Sequence, residues 1–352
     1  MKIKSVLFLT FWGMAFSAFA QDSITKPSLQ LSAYIEAYYS NDLANPSDHL
    51  RPGFFYSYNR HNEFALNLGF IKAAYATSRV RGNLALMTGT YAQYNLSAEP
   101  ALLQNIYEAN AGVKLSKNQE LWLDLGILPS HIGFESAIGK DCWTLTRSLL
   151  AENTPYYEAG ARLSLNSKDG KWYAAALLLN GWQRMVRAPG IQSPVLGTQL
   201  TYKPSGNVTL NWSSYLGDER PGNEIQTRFF NNFYGIFTLS PKWGLITGCD
   251  IGVQAGNSWV TPVAILRHTP NENWAIAGRV EYYNDKNGVI INALNGFETT
   301  GLSLNLDYLP VSNVALRFEA RTLSGKRNYF KNSEGVATSS NTFLTSAIAI
   351  FF

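Results

Sequence analysis

Apolar and polar residues alternate with a period of two along most of this chain, in segments of about ten residues. Leu302 to Tyr308 is the clearest example, and the alternation recurs in Leu121 to Ile127, Val314 to Arg321 and Phe64 to Phe70. This is the period of a β-strand that has one apolar face and one polar face. A period of 3.6 is almost confined to residues 137–151. The pattern therefore predicts an all-β protein.

Turn-forming residues divide these segments, and short and longer breaks alternate along the chain. The short breaks fall at residues 77–78, 116–119, 167–170, 204–206, 240–241, 269–273 and 310–313. The longer breaks fall at residues 41–62, 93–105, 129–155, 181–194, 218–225, 255–258, 286–298 and 324–341. Together they separate sixteen strands. Proline agrees with these bounds, because only Pro262 of the 14 prolines falls well inside a predicted strand.

Sixteen strands with connections of two lengths predict a transmembrane antiparallel up-and-down β-barrel, with short periplasmic turns and longer extracellular loops. A soluble β-sandwich is the alternative, but its strands are usually nearer five or six residues long. Composition favours the barrel, since only 15% of the residues are charged and 13% are aromatic. A lipid-facing surface excludes charge, and aromatic residues are enriched at both membrane interfaces.

The N-terminus has the three parts of a secretory signal peptide. Lys2 and Lys4 precede an apolar stretch, and Ala18-Phe19-Ala20 forms a cleavage site. We therefore predict a signal peptide at residues 1–20, a periplasmic spacer at 21–28 and the barrel at 29–352. Cleavage leaves 27 basic and 25 acidic residues, a net charge of +2. This near-neutral balance predicts no nucleic-acid partner.

The C-terminus carries apolar residues at every second position back from Phe352. This pattern resembles the last-strand signal by which the barrel assembly machinery recognises outer-membrane barrels of Gram-negative bacteria. It predicts that Phe352 belongs to such an assembly signal. The predicted location is therefore the outer membrane of a Gram-negative bacterium, with its lipid and its assembly machinery as partners.

Nearly all charges of the predicted strands have the parity opposite to the apolar face. On the lipid face each Arg or Lys would cost about 2–4 kcal/mol at the midplane, so these charges are expected to line a wet lumen. A barrel of this size is wide enough for an aqueous channel. The lumen-facing charges that we single out are Arg79, Arg81, Glu158, Arg162, Arg279, Glu281, Arg317, Glu319 and Arg321.

The longest predicted loop, residues 129–155, follows the fifth strand. It resembles, in position and length, the loop that folds into the barrel of general porins. We interpret it as a pore constriction in which acidic and basic groups face each other across the lumen. A surface loop closed by its own side chains is the alternative. The candidate constriction residues are Glu135, Lys140, Asp141, Arg147 and Glu152.

No sequence pattern predicts a catalytic residue, a metal site or a cofactor. There is no G-x-S-x-G motif, phosphate loop or nucleotide fingerprint. Ser130 and His131 are adjacent, but neighbouring residues on an extended chain point in opposite directions. The sequence does not decide whether Cys142 and Cys249 form a disulfide. The four histidines are scattered without metal-ligand spacing, at positions His49, His61, His131 and His268.

Four segments resemble the OmpL-like family of β-barrel porins. They are residues 34–39 (YIEAYY), 59–64 (NRHNEF), 131–136 (HIGFES) and 145–160 (LTRSLLAENTPYYEAG). The resemblance implies a passive channel for small solutes, without catalytic residues. We therefore expect a porin for small hydrophilic solutes, rather than a barrel enzyme.

A channel specific for a sugar or oligosaccharide is the second expectation. Aromatic side chains would line its path, and Tyr34, Trp122, Trp143 and Tyr283 are the candidates. The sequence does not distinguish a monomer from a homotrimer, because a subunit interface and a lipid-facing surface are both apolar.

Overall fold

A computed structural model describes residues 27–219, 226–293 and 295–352. The barrel strands are β1 (Ser28–Asp42), β2 (Phe64–Ala76), β3 (Val80–Thr88), β4 (Ile106–Lys114), β5 (Glu120–Pro129), β6 (Tyr157–Asn166), β7 (Trp172–Leu179), β8 (Val195–Ser205), β9 (Val208–Asp218), β10 (Thr227–Ser240), β11 (Trp243–Gln254), β12 (Asn257–Asn271), β13 (Trp274–Asp285), β14 (Phe297–Val311), β15 (Val314–Gly325) and β18 (Ser340–Phe351). The connections contain α1 (Thr90–Asn95), α2 (Leu149–Glu152), two 3₁₀ turns (Leu103–Asn105 and Gly139–Asp141) and a hairpin of β16 (Phe330–Lys331) with β17 (Ala337–Thr338).

The sixteen barrel strands form one closed antiparallel sheet. Each strand pairs with the next one along the chain, and β1 pairs with β18 to close the barrel. In the closing pair Tyr34 lies opposite Phe351 and Asp42 lies opposite Phe343. The predicted fold class and number of strands are thus confirmed. Among the described residues, no helix is long and apolar enough to cross a membrane.

The predicted signal peptide, residues 1–20, lies outside the described residues, as do residues 21–26 of the predicted spacer. Both remain predictions. Strand β1 begins at Ser28, one residue before the predicted start of the barrel.

Short turns and longer loops alternate between the two rims of the barrel, which we call the turn rim and the loop rim. One predicted loop is wrong. Residues 255–258 were expected to form a longer loop, but β11 ends at Gln254 and β12 begins at Asn257. Ala255 and Gly256 both have positive φ, 49° and 82°. Two such residues reverse the chain in a type I′ hairpin turn, so no loop is needed.

The two faces of the sheet differ in polarity as the alternation predicts. On β14, Leu302, Leu304 and Leu306 are exposed on the outer face. The alternate residues Asn305 and Asp307 are buried on the inner face. An apolar outer face is compatible with lipid, and a polar inner face requires partners. Those partners come from the loops.

Aromatic side chains mark both rims, but not in the same way. At the turn rim, Trp172 stacks on Tyr202 and Trp274 stacks on Tyr308, with ring centroids 4.1 and 4.4 Å apart. Both tryptophans are exposed on the outer face. At the loop rim, by contrast, several aromatic side chains are buried inside the barrel: Tyr38, Tyr91, Tyr215, Trp259 and Tyr283. They point inward because the loops fold into the barrel and supply apolar contacts there.

Candidate pore constriction

The connection between β5 and β6, residues 130–156, folds into the barrel and is called here the inner loop. Residues 144–155 are all buried. The helix α2 lies within this stretch, and the Ser148 hydroxyl caps it by accepting a hydrogen bond from the Ala151 amide (3.2 Å). The inner loop thus occupies the region that the lumen-facing charges were predicted to line.

Charged side chains of β13 hold the backbone of the inner loop. The Arg279 guanidinium donates to the Thr146 carbonyl (2.6 Å) and to the Thr144 hydroxyl (2.7 Å). The Glu281 carboxylate accepts a hydrogen bond from the Leu149 amide (2.6 Å). A buried irregular segment must find partners for its backbone groups, and ionised side chains make strong ones.

Strand β15 adds a second row of charged anchors beside the first. Arg317 donates to the Gly139 carbonyl (2.5 Å) and the Cys142 carbonyl (2.9 Å). Arg321 donates to the Arg147 carbonyl (2.8 Å). These wall charges also neutralise each other across the two strands. The pairs are Arg279 with Glu319 (2.8 Å) and Arg321 with Glu281 (2.5 Å).

Strands β6, β9 and β10 hold the first residues of the inner loop, and β6 lies across the barrel from β13 and β15. The His131 ring contacts the Glu158 carboxylate (2.7 Å) and the Ser214 carbonyl (2.9 Å). The Gly133 amide donates to the Asn232 side chain (3.1 Å). The inner loop is therefore bonded to both sides of the barrel and lies across the lumen.

Two glycines on the inner face of β11 make room for aromatic residues of the inner loop. A Cβ atom at Gly244 would lie 2.5 Å from the Trp143 ring, and one at Gly248 would lie 2.6 Å from the Phe134 ring. Neither position could hold a residue larger than glycine unless the facing ring moved. The wall is therefore shaped to receive the loop.

The five ionic residues predicted to form the constriction divide into two groups. Glu135, Arg147 and Glu152 are buried. Glu135 accepts hydrogen bonds from Ser148, Arg147 donates to three carbonyls of its own loop, and Glu152 accepts from the Tyr56 and Ser57 amides. Burial raises the pKa of Glu135 and of Glu152, against the opposing effect of nearby arginines and of these hydrogen bonds.

The other two residues, Lys140 and Asp141, are exposed and form an ion pair with each other (2.7 Å). Together with Ser136 they are the exposed residues of the inner loop. Ser136, Lys140 and Asp141, called here the loop tip, are thus the inner-loop residues most accessible to solutes.

The remaining predicted wall charges lie away from the inner loop. Arg81 forms a two-point ion pair with Asp124 (2.6 and 2.7 Å), and Arg162 approaches the same carboxylate (3.4 Å). Both arginine side chains keep about a fifth to a third of their surface exposed. Arg79 is exposed in the turn between β2 and β3. Trp122 points inward, as its parity indicates, and lies under Arg81.

One part of the site was missed by sequence reasoning. Residues of the first loop, between β1 and β2, also fold inward, and Arg51, Phe55 and Tyr58 are buried. The Tyr58 hydroxyl donates to Glu36 (2.7 Å), and Arg51 lies 3.5 Å above the Phe343 ring. The aromatic run at residues 54–58 was the available signal, because it is unusual in a solvated loop.

His131 is a pH-dependent anchor of the inner loop. Both ring nitrogens face acceptors, so the protonated imidazole, which donates from both nitrogens, satisfies both contacts. Burial alone would lower the pKa of His131, but the Glu158 carboxylate and the hydrogen bonds outweigh it and raise the pKa. This stabilisation is fully present below the ordinary value of 6.5 and is lost as the pH rises through the raised pKa.

We therefore expect the inner loop to be cleaved by protease faster at about pH 9 than at about pH 6, on the alkaline side of the ordinary histidine pKa. A His131→Gln variant should lose this difference, because an amide does not titrate. Cleavage of the wild type at the same rate at both pH values, corrected for protease activity, would contradict the assignment.

A closed sixteen-stranded barrel with an apolar outer face, charged inner walls and a loop lying across the lumen defines a β-barrel channel of the porin type. The family described as "Putative beta-barrel porin-2, OmpL-like" matches residues 28–352. The chain belongs to this family, and the resemblance seen in the sequence is confirmed. The protein is a porin, a channel for passive diffusion.

Solved porin structures share this fold at low sequence identity. The outer membrane channel DcaP of Acinetobacter baumannii has a TM-score of 0.63 at 10% identity, over 93% of this chain and 97% of that one. The anion-selective porin from Comamonas acidovorans has 0.59 at 10%, over 93% and 100%. The trimer form of OmpT of Vibrio cholerae has 0.56 at 8%, over 93% and 99%. No curated protein matches the sequence.

Proposed function

We propose that this porin lets small hydrophilic solutes cross the outer membrane of a Gram-negative bacterium, and that the inner loop narrows their route. The observation that carries the proposal is the attachment of the inner loop to both walls. Arg279 of β13 and Arg317 of β15 bind it on one side, and Glu158 of β6 binds it on the far side. A loop held in this way reduces the cross-section of the lumen.

The surface left to solutes is polar and mixed in charge. Arg81 and Arg162 on the wall and Lys140 and Asp141 on the loop are all accessible. A polar, hydrated path favours water-soluble molecules, and an apolar solute finds no favourable contacts along it. Liposome-swelling rates should therefore fall steadily with solute size, with amino acids and glycols of equal size similar to within a few-fold. Swelling no faster than in protein-free liposomes would refute the proposal.

The loop tip should set ion selectivity, because Lys140 and Asp141 are its exposed charges. Lys140→Glu converts a neutral pair into two negative charges and should shift the reversal potential in a salt gradient toward cation selectivity. Asp141→Lys should shift it toward anion selectivity. Lys168→Glu, in the exposed turn between β6 and β7, is the matched control and should change little. Equal reversal potentials in all three variants would place the tip outside the ion path.

The proposed function also implies how the protein reaches the outer membrane and how many copies associate there. Phe352 directly follows β18, the strand that closes the barrel, and its backbone exchanges two hydrogen bonds with Ala33 of β1 (2.9 and 3.1 Å). This position supports its role in recognition by the assembly machinery. We also propose a homotrimer, supported by the trimer form of OmpT, whose fold this chain shares. Cell fractionation should place the protein with outer-membrane lipid, and chemical cross-linking in native membranes should trap three copies. A cross-linking pattern that stops at one copy would exclude the trimer.

A further inference from the structure

A cavity of about 310 Å³ lies between the loops at the loop rim, next to the inner loop. Its lining comes from separate elements: Asn95 of α1, Glu152 and Asn153 of the inner loop, Trp182 after β7, and Arg228 of β10. The volume is that of a small-ligand site. A solute entering from the loop rim would meet this cavity before the constriction.

Two of the lining side chains have buried polar atoms that the protein does not use. Asn95 is 4% exposed, and neither its amide oxygen nor its amide nitrogen has a hydrogen-bond partner. One Glu152 oxygen is also unpartnered, while the other accepts from the Tyr56 and Ser57 amides. Buried polar groups are almost always paired in folded proteins. The Asn95 amide and the free Glu152 oxygen together offer two N–H donors and two acceptor oxygens to a ligand.

The charges around the cavity balance. Glu152 and Glu219 are matched by Arg184 and Arg228 among the described lining residues. The Arg228 guanidinium lies 3.6 Å from Glu219 and 4.6 Å from the centre of the Trp182 ring. An ionic solute of either sign would have to compete with these pairs. A neutral solute rich in hydroxyl groups can bond to amide, carboxylate and guanidinium together, with its apolar edge against an aromatic ring.

We propose that this cavity binds a neutral polyhydroxy solute of the size of a mono- or disaccharide. The proposal rests on the proposed function, and it adds a selective step to it. The site lies outside the constriction, so binding there concentrates the solute at the entrance of the channel.

Two independent titrations of the refolded protein with glucose and maltose test the proposal. In planar bilayers, sugar should reduce the ion current saturably. In detergent micelles, it should change the tryptophan fluorescence with the same half-saturating concentration. Asn95→Leu should raise that concentration at least tenfold and leave the sugar-free conductance unchanged, because the Asn95 side chain makes no bond that folding needs. Gln93→Leu, exposed on the same helix, is the matched control.

The outcomes separate this proposal from the proposed function. Normal conductance with no saturation in either titration would overturn the sugar site and leave the porin function intact. Saturable fluorescence without any conductance would support the site and overturn the proposed function. Tighter binding of glucuronate or glucosamine than of glucose would overturn the assignment to a neutral solute. Equal binding by the wild type and Asn95→Leu would remove the site from this cavity.

Discussion

Replacement of Arg279 with methionine is expected to release the inner loop and to raise the single-channel conductance several-fold. Arg279 bonds to Thr144, Thr146 and Glu319, and it is fully buried. Its loss would leave the carboxylates of Glu319 and Glu281 in the wall without this partner. Breaking a buried ion pair from one side costs about 3–5 kcal/mol. The remaining hydrogen bonds between the wall and the inner loop each contribute only about 1 kcal/mol, so they cannot offset this cost.

Two further variants keep this prediction testable. If Arg279→Met does not fold, the double variant with Glu319→Gln removes one uncompensated charge and should fold with the loop still released. Arg162→Met is the matched control, because Asp124 keeps its two-point pair with Arg81. Its conductance should change far less than that of Arg279→Met, because the inner loop stays bonded to the wall. An Arg279→Met barrel that folds and conducts like the wild type would show that Arg279 does not hold the constriction.

Filling the inner face of β11 is expected to displace the inner loop without harming the barrel. A Cβ at Gly248 would lie 2.6 Å from the Phe134 ring, so Gly248→Leu forces that ring out of its place. Overpacking of this kind costs about 1–3 kcal/mol, whereas replacing a strand glycine favours the strand itself. We expect proteolysis within residues 130–156 to become about tenfold faster, since 1.4 kcal/mol corresponds to a factor of ten in an equilibrium.

A double-mutant cycle isolates this contact. Phe134→Ala removes the ring that clashes, so adding it to Gly248→Leu should restore much of the protection of the inner loop. Gly278→Leu is the matched control on the outer face, where a Cβ would meet only the Ser303 carbonyl, at 4.0 Å. Protection that is equal in Gly248→Leu and Gly278→Leu would mean that Phe134 does not pack as described.

The barrel could be predicted from the sequence because the polarity of each residue shows which face of its own strand it occupies. In the segment Leu302 to Tyr308, each residue shows by its type which side of the strand faces lipid. The same parity identified Arg279, Glu281 and Arg321 as inward-facing, and they are. The two-residue turn at Ala255 and Gly256 was missed because its backbone conformation leaves little trace in polarity.

The candidate site could be predicted only in outline. The position of the inner loop followed from its length and its place after the fifth strand. Its contacts did not, since Arg279 and Thr146 are 133 residues apart and the bond is to a backbone carbonyl, which every residue has. Glu135 and Arg147 were predicted to be among the acidic and basic groups that face each other across the lumen. In this loop the structure places both in buried hydrogen bonds of the loop itself, and leaves Lys140 and Asp141 exposed.

Planar-bilayer recordings of the folded wild-type protein test most directly whether the barrel is a passive channel narrowed by the inner loop. We predict discrete, ohmic current steps that are smaller than those of Arg279→Met. Small polyethylene glycols should reduce these steps, and larger ones that still enter the variant should have no effect on the wild type. Inserted, folded protein that gives no steps, or steps as large as those of the variant, would contradict the account.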